Sequence, residues 1–543
     1  MRMRHDHVKT SRLPGRRTPA ARDTRRYLQR LRELPVLRSR ETTSELLRWL
    51  RAQPGPHVRL GTTTWDETVA VPLCELVKAC GLTTGGMGSG KTMFALLLIR
   101  AIIELLPGLR TISFGVLDAK GELFERTLYL LALRLEELQG AERQALLRRI
   151  VVIDFSSREA ISPYNILSRW PYTDPDFFVT NRFETLRELL PASDKLSLGG
   201  ATVLKNVLTL LADFSLPPTY IEPVLSDDAL RSRLVLRSRD AGVRTYFQRH
   251  FALEGKQTIA ALRARMEALF ASEGVRLALS GSSAPDFRQL QNEGKIVLVN
   301  CAGPSITRGV RLLLQGLVLS DIRQAIFARP NNPPVTYLWC ADEAQNFFLT
   351  RQQQEDMADV LTMARSFGSF FYFLCQNLST AIPDARILEQ LHTNIRWSLT
   401  LRGSPRDAQF LRPALPITGR VERPEIRPFH ERTFYSAEEE RALLLDGVAH
   451  LPDQVGYLWL KTRSHEGIRL RTERVELPQG EEFRHAVAEL REEPILGERV
   501  SRADYERAIA ERDRTWLGGA EESEPAQDRW ERTYRQQGTL WRA

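Results

Sequence analysis

The sequence predicts an α/β protein built on a mainly parallel sheet, with an all-helical block inserted into it. Short apolar runs alternate with helical patterns at both ends of residues 52–480, and only helical patterns occupy about 175–290. A glycine-rich turn at 85–92 separates a strand-like stretch from an apolar helix.

The chain has 543 residues, longer than one core usually grows, so several domains are expected. Its net charge of +9 is unevenly spread. Residues 1–51 hold 15 Lys or Arg and 5 Asp or Glu, which leaves the remaining 492 residues at −1. The basicity is therefore an N-terminal arm suited to phosphates, an acidic surface or an acidic partner, and nothing in it chooses among these. From Asp23 to Leu50 the arm gains helical spacing of Leu and Trp, so its second half is expected to dock on the body.

Cys74, Cys80, Cys301, Cys340 and Cys375 lack metal-ligand spacing, and three lie in apolar strand-like runs, which reads as buried thiols in a reducing compartment. No secretory leader is visible, and the longest apolar run, near Met93 to Leu106, is broken by Arg100 and Glu104. These features predict a chain without a transmembrane segment, cytoplasmic, with peripheral membrane contact left open.

After the arm, residues 52–174 form the first part of the sheet domain, with strands expected at Ala70 to Leu73, Thr111 to Leu117 and Ile150 to Phe155. The last two are joined by a helix through Leu128 to Leu147. Residues 175–290 read as the inserted helical domain, with helices at Arg182 to Leu190, Ala201 to Leu211 and Thr258 to Phe270. Residues 291–480 resume the sheet: a strand from Lys295, a helix from Arg308 to Phe327, a strand at Val335 to Ala341, a helix from Gln352 to Phe367 and a strand at Phe370 to Cys375. Residues 404–455 read as loops and short helices, Tyr457–Lys461 with Ile468–Val475 as a terminal hairpin, and 481–543 as a charged helical or partly disordered tail.

Gly85-Gly86-Met87-Gly88-Ser89-Gly90-Lys91-Thr92 has the spacing of a phosphate-binding loop. Glycines let successive backbone N–H groups face one concavity at a helix start, whose dipole also favours negative charge. Lys91 would reach the β- and γ-phosphates of ATP, and the Thr92 hydroxyl would ligate Mg²⁺.

The apolar run ending in Asp342-Glu343 supplies two carboxylates at a strand end, expected on a strand neighbouring the loop's own. Asp342 would hold Mg²⁺ through water, and Glu343 would orient and deprotonate the attacking water. Gln376, at the end of a further buried strand, is placed either to read the γ-phosphate or to cap the strand. Phosphoryl transfer also calls for a cation, commonly an arginine from a neighbouring subunit. Arg365 is the candidate, Arg396 and Arg402 its rivals, and a surface helix cap its plainer role.

With these pieces in place the chain resembles the coupling ATPases of conjugation and type IV secretion, the TraD and TraG kind, within the HerA/FtsK superfamily of ring-forming DNA motors. The matching stretches are Thr83 to Thr92, Leu117-Asp-Ala-Lys-Gly-Glu-Leu123, Ser162-Pro-Tyr-Asn-Ile-Leu167, Gly294 to Asn300, Asp342-Glu-Ala344, Ala364 to Gly368 and Cys375-Gln376. The resemblance implies a RecA-like motor domain with an inserted all-helical domain, assembled as a hexameric ring that moves DNA through its pore using ATP. It also implies Glu343 as base, Gln376 as sensor and Arg365 as a finger acting across a subunit boundary, with Asp118 and Lys120 beside the nucleotide edge. Transmembrane helices, which membrane-anchored relatives carry before the motor domain, are replaced here by the basic arm. The alternative function is a nucleotide-controlled recruitment or remodelling platform for a protein partner, without DNA translocation.

Overall fold

A computed structural model describes residues 40–189, 196–348, 351–376, 384–415, 434–478, 480–492 and 499–517, together with 382, 417 and 421. Its first 39 residues, most of the basic arm, lie outside the described residues, as do 518–543 of the tail.

Residues rich in Val, Ile, Leu and aromatics form β3 (Cys80–Thr84), β4 (Ile112–Asp118), β5 (Ile150–Asp154), β7 (Ile296–Asn300), β8 (Thr336–Ala341), β9 (Ser369–Cys375) and β10 (Ile395–Leu401). All seven run parallel in the order β10-β3-β9-β8-β4-β7-β5. Nearly every residue in them is buried, as expected for strands covered on both faces by helices. The α/β class with a mainly parallel sheet is therefore the observed one.

Beyond β10 the sheet continues antiparallel through β11 (Val455–Leu460), β12 (Ile468–Thr472), β1 (His57–Thr63) and β2 (Thr68–Pro72). The expected hairpin at 457–475 is present and joins the main sheet, which has eleven strands among the described residues. A helix over 40–51 buries Leu46, Leu47 and Leu50 in the same core, so this part of the arm docks as its spacing suggested.

Two further differences are instructive. The helix expected through Leu128 to Leu147 is two, Glu122–Glu137 and Gly140–Leu147, because Leu138 and Gln139 turn extended and Gly140 sits at a φ of +51°. β9 lies between β3 and β8, so the strand ending at Asp342 is the second neighbour of the loop's strand and not the first.

Among the described residues the excursion between β5 and β7 contains only helices from Pro175 to Asn292, apart from 3-10 turns and loops, and β5 pairs directly with β7 when the chain returns. Leu204, Val207, Leu208 and Leu211 of the Leu198–Asp213 helix form its buried stripe. A buried ion pair ties this block to the sheet domain: Arg182 of the Pro175–Leu189 helix donates to Asp321 on the Arg308–Phe327 helix, whose other oxygen accepts Tyr164 Oη at 2.5 Å.

The described part of the tail is folded. Its Glu481–Glu492 helix packs Phe483 on Tyr129, ring centroids 4.9 Å apart, and buries Val487 and Leu490. Further along, β13 (Val500–Ser501) pairs with β6 (Ala160–Ile161), and the Arg502–Leu517 helix lies against the helical block. There Tyr505 Oη donates to the Leu277 carbonyl at 2.9 Å, and Asp513 accepts Tyr220 Oη at 2.6 Å. Among the described residues no helix is long and apolar enough to cross a membrane.

Candidate nucleotide site

The carboxyl ends of the parallel strands converge at one edge, where open α/β sheets bind ligands. The 85–90 turn leaves β3 there and opens the Lys91–Glu104 helix, whose apolar residues pack on the sheet. Gly88 and Gly90 take φ values of +72° and +109°, which a side chain would strain. Gly85 is confined for a different reason: a Cβ there would stand 2.5 Å from Ser89 Oγ. Neighbouring strands hold the loop, since Gly85 N donates to the Cys375 carbonyl at 3.3 Å and Gly86 N to the Arg402 carbonyl at 2.6 Å. From the other side Gln454 N donates to the Ser89 carbonyl at 3.0 Å.

Lys91 is buried, and its Nζ donates to the carbonyls of Gly85 and Gly86, each at 2.8 Å. Burial lowers its pKa most strongly, while the charges of Glu343 and Asp342 oppose that shift. Thr92, one residue on, is partly exposed at the helix start, and Met87 points outward at 81% exposure.

Asp342 follows β8, held by its N–H bond to the Leu117 carbonyl at 3.0 Å, and is buried. Its carboxyl is pushed up to about 7, chiefly by burial and then by the nearby charges of Asp118 and Glu343. Its Oδ1 accepts the Glu343 N–H at 2.9 Å, and Glu343 itself adopts a φ of +51°, uncommon outside glycine. That kink aims the Glu343 carboxylate at its neighbours. Oε1 accepts Lys120 Nζ and, at 2.6 Å, Gln376 Nε2; Oε2 accepts Gln345 Nε2.

Asp118 ends β4 wholly buried, and burial raises its pKa against several backbone N–H bonds. Its two oxygens accept Lys120 N at 2.7 Å and Phe124 N at 2.8 Å, so its observed job is to fold the 118–121 turn and set Lys120 over the strand edge. Gly121, at a φ of +86°, completes that turn. Sequence reasoning had no role for Asp118 or Lys120 and passed over Gln345. An Asp two residues before a Lys-Gly pair is an Asx-turn signal that could have exposed the first. Pairing of Lys120 with Glu343, 223 positions apart, leaves no such local trace.

The structure thus gathers residues 85–92, Asp342, Glu343 and Gln376 at one edge. Arg365 is elsewhere. It precedes β9 and is exposed at the strand's opposite end, roughly 20 Å away at about 3.3 Å per residue. Arg396 likewise belongs to the start of β10, whereas Arg402, at its end, lies beside Gly86 and pairs with Asp453 at 2.8 Å.

The Ser162-Pro-Tyr-Asn piece also serves structure. Asn165 donates to the Ser215 carbonyl at 2.8 Å and accepts Leu167 N at 2.8 Å, and Tyr164 belongs to the Arg182–Asp321 cluster. Asn300, ending β7, donates to Asp154 at 3.0 Å.

No protein-family model matches the chain, and no curated protein matches it. Solved structures do. The chain is similar to conjugative coupling proteins. TrwBdeltaN70, a bacterial conjugative coupling protein in a trigonal form with sulphate, is 13% identical over 81% of this chain and 94% of its own, with a TM-score of 0.49. TrwB in complex with ADP and Mg²⁺ gives 13% identity, the same coverage and a TM-score of 0.46. VirB4 of Thermoanaerobacter pseudethanolicus gives 14% identity, coverage of 78% and 98%, and a TM-score of 0.46.

Proposed function

We propose that this protein is an Mg²⁺-dependent ATPase whose turnover is coupled to DNA, acting as a translocase of the coupling kind within a hexameric ring. The observation that carries the ATPase reading is the shared edge: a glycine-framed turn with a buried lysine, facing an Asp-Glu pair two strands away. The donor set fits the ligands. Backbone N–H groups at a helix start suit phosphate, and a hydroxyl with a single carboxylate suits Mg²⁺, which takes most of its remaining oxygens from phosphates and water. The Asp342 carboxyl is raised first by burial and then by the charges of Asp118 and Glu343, and a cation held there would offset those two charges.

In this reading Lys91 turns from the Gly85 and Gly86 carbonyls to the β- and γ-phosphates, and Thr92 with Asp342 would hold Mg²⁺. Bound there, the metal supplies charge neutralisation of the phosphates. Glu343 accepts the proton of the attacking water, and Gln376, already on the Glu343 carboxylate, senses the γ-phosphate. Arg365 serves an adjacent subunit, since within its own chain it stands at the far end of β9.

The DNA part rests on the motif order shared with ring-forming motors and is tested by turnover. ATP hydrolysis measured with single-stranded and duplex DNA should rise several-fold, and the rise should weaken with salt as phosphate contacts are screened. A rate indifferent to both DNAs across salt would exclude a DNA-driven motor. The second reading, a recruitment platform, is favoured by the bare leucines of the helical block, Leu198, Leu236 and Leu253, each at least three-quarters exposed. It requires nucleotide to change partner binding with DNA absent.

A further inference from the structure

Glu343 is the group expected to receive a proton, yet both oxygens of its carboxylate already accept side-chain donors. Three side-chain donors converge on two oxygens: Lys120 and Gln376 on Oε1, and Gln345 on Oε2. Gln345 is itself anchored, its Oε1 accepting Gln376 N at 3.3 Å and Cys375 Sγ at 3.3 Å. The two amides are neutral and belong to the strand edge around Glu343. Lys120 differs on both counts, being the cationic donor and coming from a separate turn at the end of β4.

The 118–121 turn is built to deliver that ammonium. Asp118, buried and fixed by N–H bonds from Lys120 and Phe124, sets the turn, and Gly121 supplies the left-handed backbone that lets the helix begin at Glu122. Lys120 is about half exposed while Glu343 is nearly covered, at 46% and 10% of their side chains. The lysine can therefore leave into solvent with little rearrangement, whereas the glutamate stays where it is. The ammonium also occupies Oε1, an oxygen to which the attacking water would have to donate.

We infer that Lys120 is an inhibitory positioning residue that holds Glu343 out of service in the resting chain. The inference rests on the reading of Glu343 as the hydrolytic base. It assigns Lys120 to restraint and not to chemistry: hydrolysis becomes efficient when Lys120 is drawn off Glu343. A half-exposed ion pair is a weak restraint, so the effect is modest; releasing it should raise turnover roughly fivefold, equivalent to about 1 kcal/mol.

The test is steady-state ATP hydrolysis by the full-length protein and its Lys120→Met and Lys120→Arg variants, without DNA. Lys120→Met should raise kcat roughly fivefold with KM little changed, and Lys120→Arg, which keeps the charge, should stay near the parent rate. Thermal unfolding beside the assay identifies a variant that has lost its fold. A purely structural role for Lys120 would lower kcat and thermal stability together, and that result overturns the inference. So does an unchanged or reduced kcat in a folded Lys120→Met, or a Lys120→Arg as fast as Lys120→Met. If the parent and Lys120→Met both bind ATP without hydrolysing it, the ATPase reading fails and the restraint fails with it. A parent that hydrolyses ATP beside a Lys120→Met that is no faster refutes the restraint alone.

Discussion

Replacing Arg182 by leucine should detach the helical block from the sheet domain in a pH-dependent way. Arg182 and Asp321 are wholly buried, and the guanidinium lies 4.8 Å from the Phe178 ring centroid while donating to Asp321. Removing one partner of a buried pair costs about 3–5 kcal/mol, because the other charge stays behind without compensation. Asp321 has one escape, which is to take up a proton. Burial already raises its pKa above the ordinary carboxylate value, with Arg182 the main opposing influence, so the variant's pKa rises further. The folded state then holds a proton that the unfolded chain releases above about pH 4, so stability falls as pH climbs from there toward the folded pKa. At about 1.36 kcal/mol per unit, the defect can be up to about 2.7 kcal/mol smaller at pH 5 than at pH 7. Urea unfolding followed by hydrogen exchange in the Pro175–Leu189 helix reads this locally, since a chain of this size need not unfold in one step. The double variant Arg182→Leu/Asp321→Leu should recover part of the loss, because it strands no charge, although Tyr164 Oη loses its acceptor. A single-variant loss under about 1 kcal/mol at pH 7, or a double variant as weak there as the single, would refute the reasoning.

Other consequences follow from packing and burial. A Cβ on Gly81 would stand 2.1 Å from the Trp397 ring, so Gly81→Ala should lower stability by about 1–3 kcal/mol, with partial rescue by Trp397→Leu in chemical denaturation. His392 is stacked on Phe410, ring centroids 3.4 Å apart, and burial, helped by the Lys461 charge, lowers its pKa to about 3. The unfolded chain therefore binds the proton first, and this contribution is full above about pH 6.5 and is lost as pH falls toward 3. His392→Asn should show a shallower loss of stability than the parent across that window. Ending the chain at residue 498 removes β13 and the Tyr505 and Tyr220 bonds, and limited proteolysis should then cut the helical block faster while leaving the sheet domain intact.

Much of the fold was legible because single segments declared it. The Arg308–Phe327 helix falls on the residues its periodicity indicated, and the strand ending in Ala341 is mostly an apolar run, broken only by Thr336. What the sequence withheld is long-range. β1 joins β12, more than 400 positions away, and whether a hairpin stands alone or extends a sheet depends on an open edge that no local pattern encodes. The insertion of β9 between β3 and β8 is hidden for the same reason. At the site, the phosphate-loop spacing and the adjacent carboxylates were readable as motifs. The contact between Lys120 and Glu343, and the approach of Arg402 and Gln454 to the loop, arise only when strands far apart in sequence end at one edge. Arg365 illustrates the converse, a residue singled out in the sequence whose own chain carries it to the opposite end of the strand.

ATP binding and turnover measured side by side on the parent protein, Lys91→Ala and Glu343→Gln, with Mg²⁺ and with DNA present or absent, test the central claim most directly. The account predicts that Glu343→Gln still binds ATP but turns over at least about a hundredfold more slowly, that Lys91→Ala loses binding, and that only the parent responds to DNA. A Glu343→Gln variant that hydrolyses ATP at the parent rate would contradict it.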